Sequence, residues 1–392
     1  MDPHLSLSFD NTEIAFARKS DLELKREERL FTMMNNKGLV FLGSTLAQIA
    51  LKLHLPVRGI IKRTVFEQFC GGENLEGAGE TSKLLDKSGI RVILDYGVES
   101  KLGEINYDHN HQEFIRVIRF ASQHPNIPFI SLKVTGFARF QLLEKRHAGI
   151  PLTPEEEQEF ARVRERILDI CQFAARSGIG VHIDAEESWI QQPVDELTVE
   201  MMERFNQEKV VVYNTFQLYL KDRLDYLKHY LADSEKQGYL PGIKLVRGAY
   251  LEKERKRAVD KHYPSPVQMD KLSTDRDYDE ALIYCLERLG RLSLFVATHN
   301  EKSCLLASTW MTNRQIRTDH PQVYFSQLYG MSDHISYNLA NAGFRVSKYL
   351  PFGPLEEVMP YLIRRAEENT AIRGQISREL GLIRSERRRR KK

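Results

Sequence analysis

Two adjacent arginines, Arg364 and Arg365, stand in PYLIRRAEEN (residues 360–369), a segment with the composition of a helix. Neighbouring helical residues point about 100° apart, so the two guanidinium groups cannot both cover one stripe of the helix surface in the same way. Arginine is a typical ligand of carboxylates and phosphates because it offers paired N–H donors. The segment also fits a solvated helix face with an Arg364–Glu368 ion pair at i,i+4 spacing. The rest of the sequence must decide between these interpretations.

Other polar side chains that could join the arginines lie at the ends of short apolar runs. They are Lys133, Asp184, Glu186, Gln217, Lys244, Arg247, Thr298, His299 and Asn300, together with Tyr250, Tyr329 and Tyr349. Cations outnumber acids in this set, which indicates a site for an anionic ligand. A Schiff base at Lys133 or Lys244 is an alternative chemistry. The sequence has no HExxH, no HxH on a strand and no acid cluster with ligand spacing, so we predict no metal site.

The apolar runs themselves are predicted strands. They are RVILDYGVE (91–99), FISLKVTG (129–136), VHIDAEES (181–188), VVYNTFQ (211–217), IKLVRGAY (243–250), LFVATHN (294–300), VYFSQLYG (323–330) and RVSKYLPFG (345–353). Helices are predicted between them, for example at 155–176, 195–206, 219–236, 275–290 and 354–372. This alternation predicts an α/β fold, a (β/α)₈ TIM-type barrel, whose active site lies where the strands end. A doubly wound open sheet is the alternative fold.

The two ends of the chain differ in composition from the predicted barrel. Residues 1–85 read as a helical appendage, and CGGENLEGAG (70–79) reads as a linker because it lacks the GxGxxG and GK[ST] phosphate-loop patterns. Residues 376–392 form a basic tail. Its last nine residues, RSERRRRKK, carry +6, which leaves −3 for the rest of a chain of net charge +3. We therefore expect a flexible, solvated tail, with an anionic membrane surface as its alternative role and no nucleic acid as a partner.

Cysteine usage and the first residues indicate a cellular compartment. The four cysteines are widely separated and form no CxxC, as in a reduced intracellular protein. Acidic residues among the first thirty argue against a secretory signal or a transit peptide. The apolar stretch at 38–51 is too short to span a bilayer. We expect a cytoplasmic protein that is at most peripheral to a membrane.

Seven motifs, in order, resemble those of proline dehydrogenase. They are IDAEES, YNTFQLYLKD, KLVRGAYLEKER, ATHN, QLYGM, YLPFG and YLIRRAEEN, and the resemblance covers residues 85–375. It is closer to the stand-alone, eukaryote-like branch than to the bifunctional bacterial one. The resemblance implies a flavoprotein on a (β/α)₈ barrel that oxidises L-proline to Δ1-pyrroline-5-carboxylate with FAD. It also implies that electrons pass to a membrane quinone, in the first step of proline catabolism, on the matrix side of the inner membrane if the source is eukaryotic.

The resemblance also implies residue roles. Arg364 and Arg365 clamp the proline carboxylate with Lys133 as a third cation, and Asp184 lies close to Lys133. The residues implied to wall the proline ring are Tyr250, Leu328 and Tyr349. The implied FAD contacts are Gln217, Lys244, Arg247, Gly248, Ala249, Thr298, His299, Asn300 and Glu368.

Two positions depart from related branches. Lys244 replaces an arginine of the bifunctional bacterial enzymes, and Arg247 is expected to compensate. Tyr349 stands where hydroxyproline-specific relatives carry a smaller residue, which favours proline as the substrate. The alternatives to this function are a methylenetetrahydrofolate-reductase-like flavoprotein, a flavin-free Schiff-base lyase, and a catalytically inactive barrel that binds membrane through its tail.

Overall fold

Eight strands form the centre of the fold. The computed structural model of the protein describes residues 7–36, 38, 58–97, 102–371 and 373–391, with the side chains of residues 366–376 outside that description. The strands are β1 Ile90–Tyr96, β2 Phe129–Leu132, β3 Gly180–Ile183, β4 Val212–Gln217, β5 Gly242–Val246, β6 Ser293–Ala297, β7 Val323–Leu328 and β8 Val346–Phe352. They close into one barrel in the order of the chain. The predicted (β/α)₈ barrel is confirmed, and the open sheet is wrong.

Every predicted strand is present, but most are shorter than predicted. The run FISLKVTG, for example, is extended only to Leu132, because Val134–Gly136 form a 3₁₀ turn. The pairing is parallel and in register, with Ile90 opposite Val346 and Tyr213 opposite Gly242. Strands β2, β3 and β4 are buried along their whole length, as expected where helices cover the outer face of a parallel sheet. Because the strands are shorter than predicted, most of the polar residues at the predicted strand ends lie in loops.

At least one helix follows each strand. The helices described are α1 Thr12–Phe16, α2 Asp21–Met34, α3 Arg58–Ile61, α4 Glu67–Phe69, α5 Leu75–Asp86, α6 Glu104–Ser122, α7 Phe140–His147, α8 Pro154–Ser177, α9 Gln191–Phe205, α10 Arg223–Gln237, α11 Leu251–Asp260, α12 Lys271–Leu286, α13 Glu301–Asn313, α14 Asp333–Asn341, α15 Leu355–Ala371 and α16 Arg373–Arg389. A π-helical turn, Lys62–Phe66, joins α3 to α4. The predicted helices thus exist, with boundaries shifted by a few residues.

Helix α8 shows how the local sequence sets such boundaries. Thr153 caps its N-terminus in a reciprocal pair of hydrogen bonds with Glu156, and Pro154 occupies the first turn. Gly178 ends the helix in a left-handed conformation that costs a glycine little. The long amphipathic segment between the caps then packs its apolar face inward.

Aromatic side chains fill part of the barrel interior. Phe129, His182, Tyr213, Phe295 and Tyr324 make stacked and edge-to-face contacts with ring centroids 4.4–5.9 Å apart. Burial holds the pKa of His182 well below its usual value, so this imidazole is neutral. The layer is a packed core rather than a site.

The chain divides into two compact units. The first comprises residues 1–99, 299–301 and 325–392, and the second comprises residues 100–298 and 302–324. Strands β2 to β6 belong to the second unit, and β1 and β8 belong to the first.

The basic C-terminal segment is a packed helix, so the prediction of a flexible tail is wrong. Helix α16 packs against α1 and α2 in the first unit. Arg384 donates to Glu28, 3.0 Å away, and Arg390 lies 3.0 Å from Asp21. Leu380, Leu382 and Ile383 are buried in the core of this unit. The tail is ordered because its acidic partners lie in the N-terminal segment, far away along the sequence.

Two other expectations for the N-terminal segment have different outcomes. The glycine-rich stretch 70–79 is only partly a linker, because Asn74 caps α5 and the helix begins at Leu75. The apolar stretch 38–51 lies outside the described residues except for Gly38. Among the helices that are described, none is long and apolar enough to cross a membrane.

Candidate functional site

Three charged residues from three strands meet in the second unit. Lys133 follows β2, Asp184 follows β3 and Lys244 lies within β5. The Asp184 carboxylate is 2.5 Å from the Lys244 ammonium through one oxygen and 3.4 Å from the Lys133 ammonium through the other. Asp184 and Lys244 are buried, whereas the Lys133 side chain is 33% exposed. Two cations contact one carboxylate, and the predicted proximity of Asp184 and Lys133 is observed.

Gln217 joins two loops of the same unit. It ends β4 and is buried. Its side-chain amide donates to the Glu186 carbonyl (2.7 Å) and accepts from the Ala249 backbone N–H (3.1 Å). Gln217 therefore fixes the loop after β5 against the loop after β3.

Glu186 is a buried acid in this neighbourhood. Its carboxylate accepts hydrogen bonds from the backbone N–H (3.0 Å) and the hydroxyl of Thr135. Burial raises the pKa of Glu186 to about 7, against the opposing effect of the Thr135 hydrogen bonds. Glu186 thus titrates near neutral pH, which its sequence context alone did not indicate.

The loop after β5 requires glycine at position 248. Gly248 has φ +142°, and a Cβ built there would lie 2.2 Å from the Tyr219 ring. A side chain would therefore meet both backbone strain and a steric clash. The next residues, Ala249 and Tyr250, lead into α11, where the Lys253 ammonium lies 5.4 Å from the centre of the Tyr250 ring.

Arg247 is anchored by all three of its nitrogen atoms. Nε lies 2.7 Å from Asp275, Nη1 lies 2.6 Å from the Thr298 hydroxyl and Nη2 lies 3.0 Å from the Ser303 hydroxyl. Lys271 also contacts Asp275, at 2.5 Å. As at Asp184, one carboxylate is shared by two cations.

In the first unit, two of the predicted substrate residues are neighbours. Leu328 ends β7 and pairs in register with Tyr349 of β8. Leu328 packs against the hydrophobic core of this unit, and Tyr349 is half-buried. Paired residues of adjacent strands point to the same face of a sheet, so the two side chains lie side by side.

The arginine pair lies on α15, as predicted from the sequence. Arg364 and Arg365 are both half-buried, and the Arg365 guanidinium lies 5.4 Å from the centre of the Tyr361 ring. The Glu368 side chain lies outside the described residues, and with it both its predicted FAD contact and the alternative Arg364–Glu368 ion pair.

His299 and Asn300 follow β6 and precede α13. The His299 ring nitrogen Nδ1 lies 3.0 Å from the Ser332 hydroxyl, and both residues belong to the first unit. Ser332 has φ +52°, which is uncommon for a residue with a side chain. Sequence reasoning missed Ser332, although its position directly after QLYGM could have drawn attention to it. It also missed Asp275, whose partner Arg247 is 28 residues away.

Metal ligation finds no support in the described part of the chain. No group of three or more His, Cys, Asp or Glu side chains that could hold an ion occurs among those residues. The four cysteines are buried and unbridged.

An α/β barrel with polar and cationic residues at its strand ends defines the chain as an enzyme of the TIM-barrel class. A family model described as proline dehydrogenase matches residues 78–378. The chain therefore belongs to the proline dehydrogenase family. The predicted family, the predicted enzyme class and the predicted oxidation of proline are confirmed.

Individual relatives agree with this membership. The chain is 33% identical over 377 residues to proline dehydrogenase 1, mitochondrial, of Arabidopsis thaliana, covering 85% of this chain and 76% of that protein. It is 36% identical over 320 residues to the carbapenem antibiotics biosynthesis protein CarD of Pectobacterium carotovorum, covering 81% and 82%. The solved structure of proline utilization A from Bdellovibrio bacteriovorus, inactivated by N-propargylglycine, shares the fold with a TM-score of 0.72 at 21% identity. The match covers 92% of this chain but only 36% of that protein.

Proposed function

We propose that this protein oxidises L-proline to Δ1-pyrroline-5-carboxylate with FAD as the electron acceptor. The family match across residues 78–378 carries this proposal, because it spans the whole barrel and every candidate site residue. Residues 86–375 are proposed as the catalytic barrel, with residues 1–85 and 376–392 as terminal segments.

The substrate carboxylate is proposed to bind Arg364 and Arg365, with Lys133 as a further cation. Paired N–H donors suit a carboxylate, and fixing it sets the position of the substrate ring. The ring itself is proposed to contact Tyr250 together with Leu328 and Tyr349. The neighbouring positions of Leu328 and Tyr349 on β7 and β8 support an apolar wall of this kind.

The cationic clusters also favour the reactive form of the substrate. Oxidation at the carbon next to the ring nitrogen requires the nitrogen lone pair, which a protonated amine cannot provide. The two ammonium groups beside Asp184, those of Lys133 and Lys244, disfavour the ammonium form of an amine bound nearby. Glu186, with a pKa of about 7, can hold a proton close to Lys133.

The residues present fit FAD. Each of the two clusters around Asp184 and Asp275 places two cations at one carboxylate, and cationic side chains suit the phosphates and the reduced ring of a flavin. Bound FAD would supply the acceptor for a hydride. The proposed contacts are Lys244, Arg247, Gly248 and Ala249 of β5 and its loop, with Gln217, Thr298, His299, Asn300 and Glu368.

A Schiff-base lyase is disfavoured by the same geometry. A nucleophilic lysine must have its amine accessible to a carbonyl substrate, whereas the Lys244 side-chain nitrogen is buried and lies 2.5 Å from the Asp184 carboxylate. Lys133 shares the same carboxylate.

For the electron acceptor we propose a membrane quinone, reached from a peripheral position on the cytoplasmic face of the inner membrane, or on its matrix side in a eukaryote. Contact through the basic segment 384–392 remains part of this proposal. Because Arg384 and Arg390 are already paired with Glu28 and Asp21, we expect that contact to be weaker than the +6 charge indicates.

Turnover with an artificial dye tests the function. Purified protein supplied with FAD is expected to reduce the dye when L-proline is added and to form a product that o-aminobenzaldehyde traps. Dye reduction by NADH but not by L-proline would instead favour the folate-reductase alternative.

A further inference from the structure

We propose that Arg378 and Glu379, adjacent residues on the C-terminal helix α16, are positioning residues that hold His299 in place for the cofactor. This inference rests on the proposed function, because His299 is one of the proposed FAD contacts. The inference assigns to the C-terminal helix α16 a role in positioning one of the proposed cofactor contacts.

Glu379 acts through Ser332. The Glu379 carboxyl accepts a hydrogen bond from the Ser332 backbone N–H (2.8 Å), and the Ser332 hydroxyl contacts His299 Nδ1 (3.0 Å). Glu379 and Ser332 are both buried, with 2% and 0% exposure. A single buried chain of contacts therefore runs from α16 to the imidazole.

Ser332 needs such support because of its backbone conformation. It precedes α14 with φ +52° and ψ +42°, a left-handed conformation that is unfavourable for a residue with a side chain. A buried N–H at the start of a helix also requires an acceptor. Glu379 supplies that acceptor, and it therefore stabilises the conformation that aims the Ser332 hydroxyl at His299.

Arg378 contacts the chain segment that carries His299 itself. Its Nε lies 2.9 Å from Glu301, which is two residues after His299, and His334 contacts the same carboxylate at 3.0 Å. These hydrogen bonds and charges lower the pKa of Glu301 to about 2, against the effect of its burial. The segment 299–301, which leads into α13, is thus held against α16 by a second contact, which is ionic.

Other charged residues near Glu379 also hold the loop that contains Ser332. Glu379 lies in a cluster with the buried residues Glu27, Asp333 and Lys348 and the half-buried Lys19. Lys348 also donates to the Met331 carbonyl at 2.6 Å, directly before Ser332. The loop from β7 to α14 is therefore fixed from several sides, and Glu379 is the member that reaches the His299 contact.

Matched substitutions on α16 test the proposal. Glu379→Leu removes the acceptor and Glu379→Gln retains an oxygen in its place. Glu386→Leu is the control, because Glu386 is equally buried on α16 but contacts Thr12, Arg389 and Arg390 instead. The readouts are the FAD dissociation constant of the full-length protein and its Tm.

We expect Glu379→Leu to weaken FAD binding about ten-fold, the effect of losing one buried hydrogen bond. Glu379→Gln should stay within about two-fold of the wild type. Glu386→Leu should lower the Tm without changing FAD affinity by more than about two-fold. Equal weakening of FAD binding by Glu379→Leu and Glu386→Leu would show that only the docking of α16 matters, and it would overturn the proposal. Unchanged FAD affinity in Glu379→Leu would overturn it as well.

A second pair of variants covers the case in which a buried substitution prevents folding. Arg378→Met breaks the contacts with Glu301 and Asp10, whereas Arg384→Met breaks a comparable surface ion pair with Glu28. Only Arg378→Met should weaken FAD binding.

The coupling to His299 can be measured in the same assay. In a His299→Ala background, Glu379→Leu should cause no further loss of FAD affinity, because its effect passes through the imidazole. Additive losses would contradict the inference. A wild-type protein that binds no FAD would overturn the proposed function and this inference together, whereas normal wild-type binding with unaffected variants overturns the inference alone.

Discussion

At the scale of single residues, the candidate site depends on carboxylates that are each shared by two cations. Asp184 contacts Lys133 and Lys244, and Asp275 contacts Arg247 and Lys271. The shared carboxylates lower the cost of burying the cations. Sequence analysis predicted the cations, but it could not predict which acids neutralise them.

Removing one shared carboxylate should be costly. Asp184→Asn removes the negative charge 2.5 Å from the buried Lys244 side chain, and removing one partner of a buried ion pair costs on the order of 3–5 kcal/mol. We expect a lower Tm and lost proline turnover, with the Tm measured by calorimetry. Adding Lys244→Met to Asp184→Asn should recover much of the Tm but not the turnover. A Tm that stays at the wild-type value in Asp184→Asn would contradict this account.

Arg365 should affect substrate binding more than cofactor binding. Arg365→Ala removes paired donors to the carboxylate, so the KM for proline should rise about ten-fold or more at unchanged flavin content. Arg314→Ala is a matched control, because Arg314 also stacks on an aromatic ring, Trp310, at 4.1 Å. Parallel loss of flavin and activity in Arg365→Ala would argue against the clamp.

Glu379 should make stability depend on pH. Burial and the nearby Asp333 and Glu27 raise its pKa to about 8 from a usual 4.5. The folded state then binds a proton more tightly than the unfolded state, so stability falls as pH rises from about 4.5 to 8. Glu379→Gln, which does not titrate, should be more stable than the wild type at pH 8 and should show a flatter profile between pH 5 and pH 8. Parallel pH profiles of Tm for the two proteins would disprove the assignment.

At the scale of elements, the loop after β5 is the most constrained segment of the candidate site. Gly248→Ala should meet the Tyr219 ring and an unfavourable φ, so we expect loss of FAD retention together with a lower Tm. Gly290→Ala is the control, because a Cβ there meets no atom within 4 Å and its φ lies outside the positive range. Flavin content and Tm, measured on both variants, check the prediction; an undisturbed Gly248→Ala would refute it.

The strands and helices were predictable because their signals are local. The β-branched run VVYNTFQ and the capped segment from Thr153 to Gly178 carry their own periodicity and end signals. Boundaries were less predictable where a strand passes directly into a turn, as at Lys133. The 3₁₀ turn after Lys133 is supported by Thr135, whose partner Glu186 is 51 residues away.

At the scale of the whole molecule, the terminal segments are parts of one packed unit. Composition alone predicted a solvated tail at residues 384–392, because seven cations stand there against Glu386. The partners of that tail, such as Glu28, precede it by more than 350 residues. No local pattern carries such information, so this prediction failed where those of the strands succeeded.

Deletion of residues 384–392 is therefore expected to lower the stability of the protein, whereas deletion of a flexible tail would leave it unchanged. The truncated protein should lose the contacts of Arg384 and Arg390 with α2, and its Tm should fall by several degrees. Binding to vesicles of anionic lipid should fall at the same time if the tail touches the membrane. A truncated protein with the wild-type Tm would show that α16 does not need its last turns.

The most direct test of the central claim is the visible spectrum of the purified protein under anaerobic conditions, before and after L-proline is added. We expect a flavin spectrum that bleaches with L-proline and stays oxidised with D-proline or hydroxyproline. A flavin that L-proline leaves oxidised, or a protein that takes up no FAD when it is supplied, would contradict it.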